Sequence, residues 1–200
     1  GMSPTFDRDP RKSVPRFIAF AIPFGWILDP KKFDIGLDIA ISSIKRISPG
    51  SVDPRVKNYH WLDLVNGMYE AYDRGHYTAV LVDEEKNVLE GPGFNIFSLN
   101  ENSLITPDKG VLEGITRQTA IDLAIELDIA VKEAPISSEE FMNSKEAFAT
   151  STAGGIIPIT KIDGRVIGNG KAGEITKKIK DLYWEKHLHP DWSEDIKDLL

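Results

Sequence analysis

No cysteine occurs anywhere in the 200 residues. That absence excludes disulfides, thiolate metal sites, iron–sulfur clusters and a cysteine nucleophile, and it fits a reducing, cytoplasmic setting. Long hydrophobic runs are missing as well. Nothing approaches the ~20 apolar residues of a membrane span, and the segment from Gly1 to Lys12 is polar and proline-containing where a signal peptide would be apolar. Basic residues are the minority charge, 24 Lys and Arg against 31 Asp and Glu. The resulting net charge of −7 supplies no general attraction to phosphate backbones or anionic lipid, so neither nucleic acid nor a membrane surface is an expected partner. What is present is the balance of a folded protein: 41% hydrophobic, 28% charged and 9% aromatic residues. The length suits one domain, for which about 100 to 200 residues is usual.

Residues 1–15 read as an extended arm, because Pro4, Asp7, Arg8, Asp9, Pro10, Arg11 and Lys12 leave almost nothing to bury. Arg16 to Leu28 is aromatic and branched, which predicts a buried strand interrupted by Pro23, followed by a linker through Lys32. Leu37 to Ile47 alternates as a second strand. Trp61 to Arg74 spaces Leu62, Val65, Met68, Tyr69 and Tyr72 as one face of a helix that stops at Gly75. Short strands are expected at Tyr77–Val82, Val88–Glu90, Phe94–Leu99 and Leu104–Thr106, joined by polar turns such as Asn100–Ser103, which suggests an antiparallel meander. A helix over Thr116–Leu127 follows Gly114, with Ala120, Ile121, Leu123, Ala124 and Leu127 on its apolar face. A strand at Ile129–Glu133, a short helix opened by the capping box Ser137–Glu140, strands at Glu146–Ser151, Ile156–Ile162 and Arg165–Ile167, and a helix over Glu174–His187 complete the chain. Strands interleaved with isolated helices indicate an α+β fold and argue against a regular parallel βαβ array.

Several short motifs fail on context. Gly168-x-Gly170-x-x-Gly173 fits the dinucleotide fingerprint, yet it follows a strand of about three residues and lacks a βαβ unit, so it reads as a turn. His187 and His189 stand two apart on a helix and face different ways, and no metal site is expected. No G-x-S-x-G elbow is present. Four polar elements remain: Lys57 in Pro-Arg-Val-Lys57-Asn-Tyr-His-Trp; Glu90 in an apolar strand before Gly91-Pro-Gly-Phe-Asn95; Gly114-Ile-Thr-Arg117, where free N–H groups and the helix dipole favour an anion; and Ser151-Thr152-Ala-Gly-Gly155, a phosphate nest or a plain turn.

In this order and at these spacings, the elements resemble the large C-terminal domain of the fold-type IV (class IV) pyridoxal-phosphate enzymes. That family includes branched-chain aminotransferases, D-amino acid aminotransferases, (R)-selective amine transaminases and aminodeoxychorismate lyases. The resemblance covers roughly Arg16 to Asp191 and is carried by Lys57-Asn-Tyr, Glu90-Gly-x-Gly-x-Asn95, Thr106-Pro, Gly114-Ile-Thr-Arg117, Thr152-Ala, Ile156-Ile-Pro158 and Asp163-Gly. Asn58-x-x-Trp61-x-Asp63-Leu64, with Thr176-Lys-Lys178 and Tyr183-Trp184, is most similar to the amine-transaminase branch, whereas branched-chain enzymes usually place two more residues between the lysine and Asn-Tyr.

The resemblance implies antiparallel strands in a pseudo-barrel with surrounding helices over residues 33–200, forming the pyridoxal-phosphate domain. Residues 16–32 then correspond to the last strand and linker of a small N-terminal domain that is otherwise largely missing. It implies that Lys57 forms a Schiff base with pyridoxal 5'-phosphate and shuttles the proton, and that Glu90 keeps the pyridine nitrogen protonated. Asn95 falls with the cofactor-binding positions. Ile115 and Thr116 bind the phosphate through amides and a hydroxyl, Thr152 completes that cup, and Tyr59 contacts the ring oxygen. The implied activity is amino transfer from an amino acid or amine to a keto acid or ketone in a homodimer. Two other readings share the fold: a catalytically impaired remnant and a lyase.

Overall fold

The computed structural model describes residues 7–101 and 103–194. Residues 1–6 of the arm, Asn102 of the Asn100–Ser103 turn, and residues 195–200 lie outside the described residues. The regular elements are β1 (Leu37–Lys45), α1 (Leu62–Asp73), β2 (Thr78–Val82), β3 (Glu90–Gly91), β4 (Phe94–Asn100), β5 (Ser103–Thr106), α2 (Ile115–Glu126), β6 (Ala130–Glu133), α3 (Ser138–Met142), β7 (Glu146–Ser151), β8 (Gly155–Ile162), β9 (Arg165–Val166) and α4 (Glu174–Lys186).

All nine strands join one sheet in the order β2-β1-β8-β7-β4-β5-β6, with β3 paired to β4 and β9 to β8. This is a mixed half-barrel with helices around it. The central part is antiparallel, as the short turns between β4 and β5 and between β7 and β8 require. The meander does not extend to the edges. β1 runs parallel to β2 and to β8, and β5 runs parallel to β6. Parallel neighbours need a crossover, and α1 and α2 supply it, so two βαβ units sit within an α+β chain.

Packing divides on the two faces of the sheet. On one face Ala120, Leu123 and Ala124 of α2 and Ile179 of α4 pack in one cluster with Phe97, Leu104 and Phe148 of the sheet. Phe97 and Phe148 are opposite each other on β4 and β7, with rings stacked at 4.8 Å. Such a pair adds about 0.5–1.5 kcal/mol to plain burial. The capping box of α3 forms as expected, with Ser137 and Glu140 bonding reciprocally.

α1 is in place, but it uses a different face from the one its large apolar residues suggest. Leu64, Gly67 and Ala71 face the sheet, against Ala40, Ala79 and Leu81, while Leu62, Tyr69 and Tyr72 are exposed. A Cβ on Gly67 would come within 2.7 Å of Leu81 Cδ1. The helix thus approaches closely on its small residues, and hydrophobic spacing alone selects the wrong side.

The expected strand at Arg16–Leu28 does not form. Phe17, Ile18, Phe20, Ile22 and Phe24 are exposed and no strand runs through them. A strand needs a neighbour for its N–H and C=O groups, and here the segment meets the sheet only at its end. There Ile27 N–H donates to Ala153 O at 2.9 Å, Tyr77 Oη donates to Ile27 O at 2.6 Å, and Leu28 is buried.

Candidate active site

A cavity of about 460 Å³ opens where β3, β4 and β7 end beside the start of α2. Its wall includes Lys57, Glu90, Asn95, Ile115, Thr116 and Thr152, six of the seven residues that the sequence singles out. The seventh, Tyr59, is fully exposed and does not line the cavity. Its place so close to Lys57 in an irregular segment does not carry it to the same wall.

Glu90 comes from β3, and only 5% of the residue is exposed. Its Oε1 accepts from Arg46 Nε at 3.1 Å, and its Oε2 accepts from Leu112 N–H at 2.9 Å and from Asn95 Nδ2 at 3.5 Å. Burial pushes the Glu90 carboxyl above the usual carboxylate range, and this outweighs the lowering by the Leu112 N–H and by Arg46. The Arg46 side chain is itself buried and also donates to Asp63 Oδ2 at 2.6 Å. Asp63 in turn accepts from Ile47 N–H at 2.7 Å, which ties the end of β1 to the first turn of α1. A connected chain of Asp63, Arg46 and Glu90 therefore fixes the carboxylate from two elements that are distant in sequence.

Asn95 lines the cavity, and its amide is spent on the loop before α2, donating from Nδ2 to Leu112 O at 2.8 Å. A Cβ on Gly114 would collide with Asn95 Oδ1, so a glycine here lets that loop lie against β4. The loop leads into α2, whose first residue outside the helix is Gly114 and which no side chain caps. Its first turn holds no acidic residue, so free N–H groups and the dipole favour an anion there. Ile115 and Thr116 are at this end. Burial pushes the phenol of Tyr183 up, and the neighbouring Thr116 hydroxyl offsets part of that rise. Arg117 turns away: it donates to Pro107 O at 2.9 Å and to Glu133 Oε2 at 2.7 Å and is buried.

α4 provides the contrast. Its N-terminus follows the Gly168–Gly173 stretch, and Glu146 fills it, accepting from Ile175 N–H at 3.1 Å and Thr176 N–H at 2.8 Å. A carboxylate of the chain itself thus occupies the position where the dinucleotide reading would put a phosphate. Gly168 and Gly170 adopt positive φ in a turn, as the context of the motif indicates. His76 bonds Asp38 at 2.7 Å and His187 bonds Tyr183 O at 2.8 Å. Among the described residues no group of three or more His, Asp or Glu side chains is arranged to hold a metal ion.

Sequence reasoning overlooks Arg46, the Leu112 N–H and Thr150, and it takes Asp63 only as part of a branch-like string. Arg46 reads as a solvated strand end, and nothing local distinguishes it. Thr150, beside the hydroxyl run Ser151-Thr152, lines the same cavity and is paired with Asn95 across β7 and β4.

Comparison with known proteins bears on the family and the fold. The family model described as Amino-transferase class IV matches residues 3–162. A Methanocaldococcus jannaschii protein, provisionally named as a branched-chain-amino-acid aminotransferase, is 36% identical over 193 residues, covering 95% of this chain and 65% of its own length. The structure is similar to the branched-chain aminotransferase of Thermoproteus uzoniensis solved with norvaline: TM-score 0.78, 36% identity, 86% of this chain and 57% of that one. It is also similar to the branched-chain amino acid aminotransferase of Thermobaculum terrenum solved in its PLP-bound holo form: TM-score 0.74, 34% identity, 79% of this chain and 53% of that one. The chain spans between about half and two thirds of the length of these relatives.

Proposed function

Because the chain belongs to the class IV aminotransferases, we propose that it moves an amino group from an amino acid or amine to a keto acid or ketone, with pyridoxal phosphate held at Lys57, Glu90 and the start of α2. One observation carries the reading: the buried Glu90 carboxylate, the Lys57 amine and the uncapped end of α2 line one cavity.

These donors and acceptors fit the cofactor's three polar features. Glu90 would accept from the ring nitrogen and hold its proton. The amides of Ile115 and Thr116 and the Thr152 hydroxyl would take the phosphate. Lys57 would hold the cofactor through Nζ at its carbonyl carbon, with loss of water, and, once the substrate amine displaces it there, its free amine would carry the proton from the substrate carbon that bears nitrogen to that cofactor carbon. When bound, pyridoxal phosphate supplies the carbonyl that accepts the amino group and the ring that withdraws electrons from that carbon. Arg46 and Asp63 act behind Glu90 and keep it oriented. Asn95 positions the loop that brings Leu112 and α2 to the site.

The names of the relatives make branched-chain amino acids and their keto acids the first substrates to offer, while the short Lys57-Asn58-Tyr59 spacing makes chiral amines the second. In this proposal residues 33–200 form the cofactor-binding domain. The protein is taken to be a cytoplasmic homodimer, in keeping with the lack of cysteine and with exposed apolar side chains such as Phe20, Tyr69 and Tyr72.

The test is covalent trapping. Pyridoxal phosphate is added to the purified chain, the mixture is reduced with borohydride, and the modified peptide is located by mass spectrometry. A single adduct at Lys57, lost in Lys57→Ala, is expected. Diffuse labelling of surface lysines would overturn the assignment.

A further inference from the structure

We propose that Thr150 is an additional phosphate-binding residue, whose hydroxyl receives the cofactor's phosphate on the floor of the cavity; this rests on the cofactor reading above. Among the described residues, Thr150 Oγ1 is buried without a hydrogen-bond partner, and the residue is only 2% exposed. A buried hydroxyl left unpaired costs free energy, so a ligand that satisfies it gains what the protein alone forgoes. The backbone of Thr150 is already committed to strands on both sides, opposite Asn95 on β4 and Ile156 on β8.

The register places the hydroxyl. Glu90 is opposite Asn95, and Asn95 is opposite Thr150, so the three side chains form one row across β3, β4 and β7 on the same face. Two residues further along, that face carries Phe97 and Phe148, which pack beneath α2 and α4. Thr150 is therefore on the helix-covered side, at the end where α2 begins. Strands lie about 4.8 Å apart, which puts Thr150 roughly 10 Å along the row from Glu90. If Glu90 takes the ring nitrogen, Thr150 stands at the far end of the row, in the wall of the same cavity that the uncapped start of α2, Ile115 and Thr116, also lines. Thr150 and Thr152 also alternate onto the same side of β7 and its extension.

The experiment compares pyridoxal phosphate with pyridoxal, which lacks the phosphate, as ligands of the cofactor-free full chain. Dissociation constants are measured by absorbance titration for the wild type, Thr150→Val, Thr150→Ser and Thr150→Ala. Thr150→Val should bind pyridoxal phosphate about tenfold more weakly or worse, the size expected for a lost hydrogen bond to a charged group. It should bind pyridoxal as the wild type does, and Thr150→Ser should restore phosphate-dependent affinity. Cofactor-free Thr150→Val should also unfold at a denaturant midpoint no lower than the wild type, because valine keeps the shape without the unpaired hydroxyl. Thr150→Ala provides the same affinity comparison should the valine variant fold poorly. Unchanged affinity of the valine and alanine variants for pyridoxal phosphate, or an equal loss for both ligands, overturns the proposal and leaves the cofactor reading intact. A wild-type chain that binds neither ligand overturns both.

Discussion

At the scale of single residues, the site depends on a carboxylate kept where a carboxylate is costly. Burial raises the Glu90 pKa in the folded chain above its ordinary value near 4.5. In the unfolded chain the group ionises first as pH rises through that value, so the native state binds more protons and loses relative stability until its own, higher value is passed. Wild-type stability relative to Glu90→Gln should therefore fall as pH rises above about 4.5 and then level off, in urea titrations of the cofactor-free protein at several pH values. A difference independent of pH would contradict this. Lys57, Glu90, Thr116 and Thr152 were legible in the sequence because each belongs to a short string with its own pattern. Arg46 and Thr150 were not, since the first reads as a strand-end charge and the second as an ordinary strand residue. Their meaning arises only where β1 and β7 converge on the row of Glu90 and Asn95.

At the scale of elements, the N-termini of α2 and α4 differ in how they are satisfied. Glu146 closes α4, accepting from two backbone N–H groups and from Thr176 Oγ1 at 2.8 Å. Glu146→Ala should destabilise the chain by about 1–2 kcal/mol, as lost caps do, with Glu146→Gln milder because an accepting oxygen remains. Denaturant unfolding of the two variants checks this order. The α2 terminus has no side-chain cap and borders the cavity, so its free N–H groups are left to water or to a ligand. Helix positions were readable from periodicity, and α2 buries the face expected of it. The face of α1 was not, because Gly67 and Ala71 let the helix settle against Leu81 while its tyrosines stay outside. Close approach favours small side chains, and hydrophobic spacing carries no information about it.

At the scale of the whole molecule, a large amount of apolar surface stays uncovered. Phe17, Ile18, Phe20, Ile22 and Phe24 lie along one segment, and Leu62, Tyr69 and Tyr72 lie on α1. Patches of this kind usually mark an interaction surface. The protein should sediment as a dimer at micromolar concentration, which analytical ultracentrifugation would detect, and a monomer there would count against the homodimer. The direction of the strands also belongs to this scale. The strand positions in sequence are compatible with a continuous meander, yet β1 enters between β2 and β8 and runs parallel to both.

Local chemistry determined, from the sequence alone, which segments form most of the strands and helices, which strings bring polar groups to the cavity, and that these 200 residues offer no thiol. Those properties depend on neighbours within a few residues, where propensity, capping and spacing operate. The tertiary structure decided the parallel edges of the sheet, the buried face of α1, the failure of Arg16–Leu28 to form a strand, and the Asp63–Arg46–Glu90 chain behind the carboxylate. Each of these depends on which groups from distant parts of the chain compete for the same backbone partners, the same volume or the same charge, and a linear string does not record that competition.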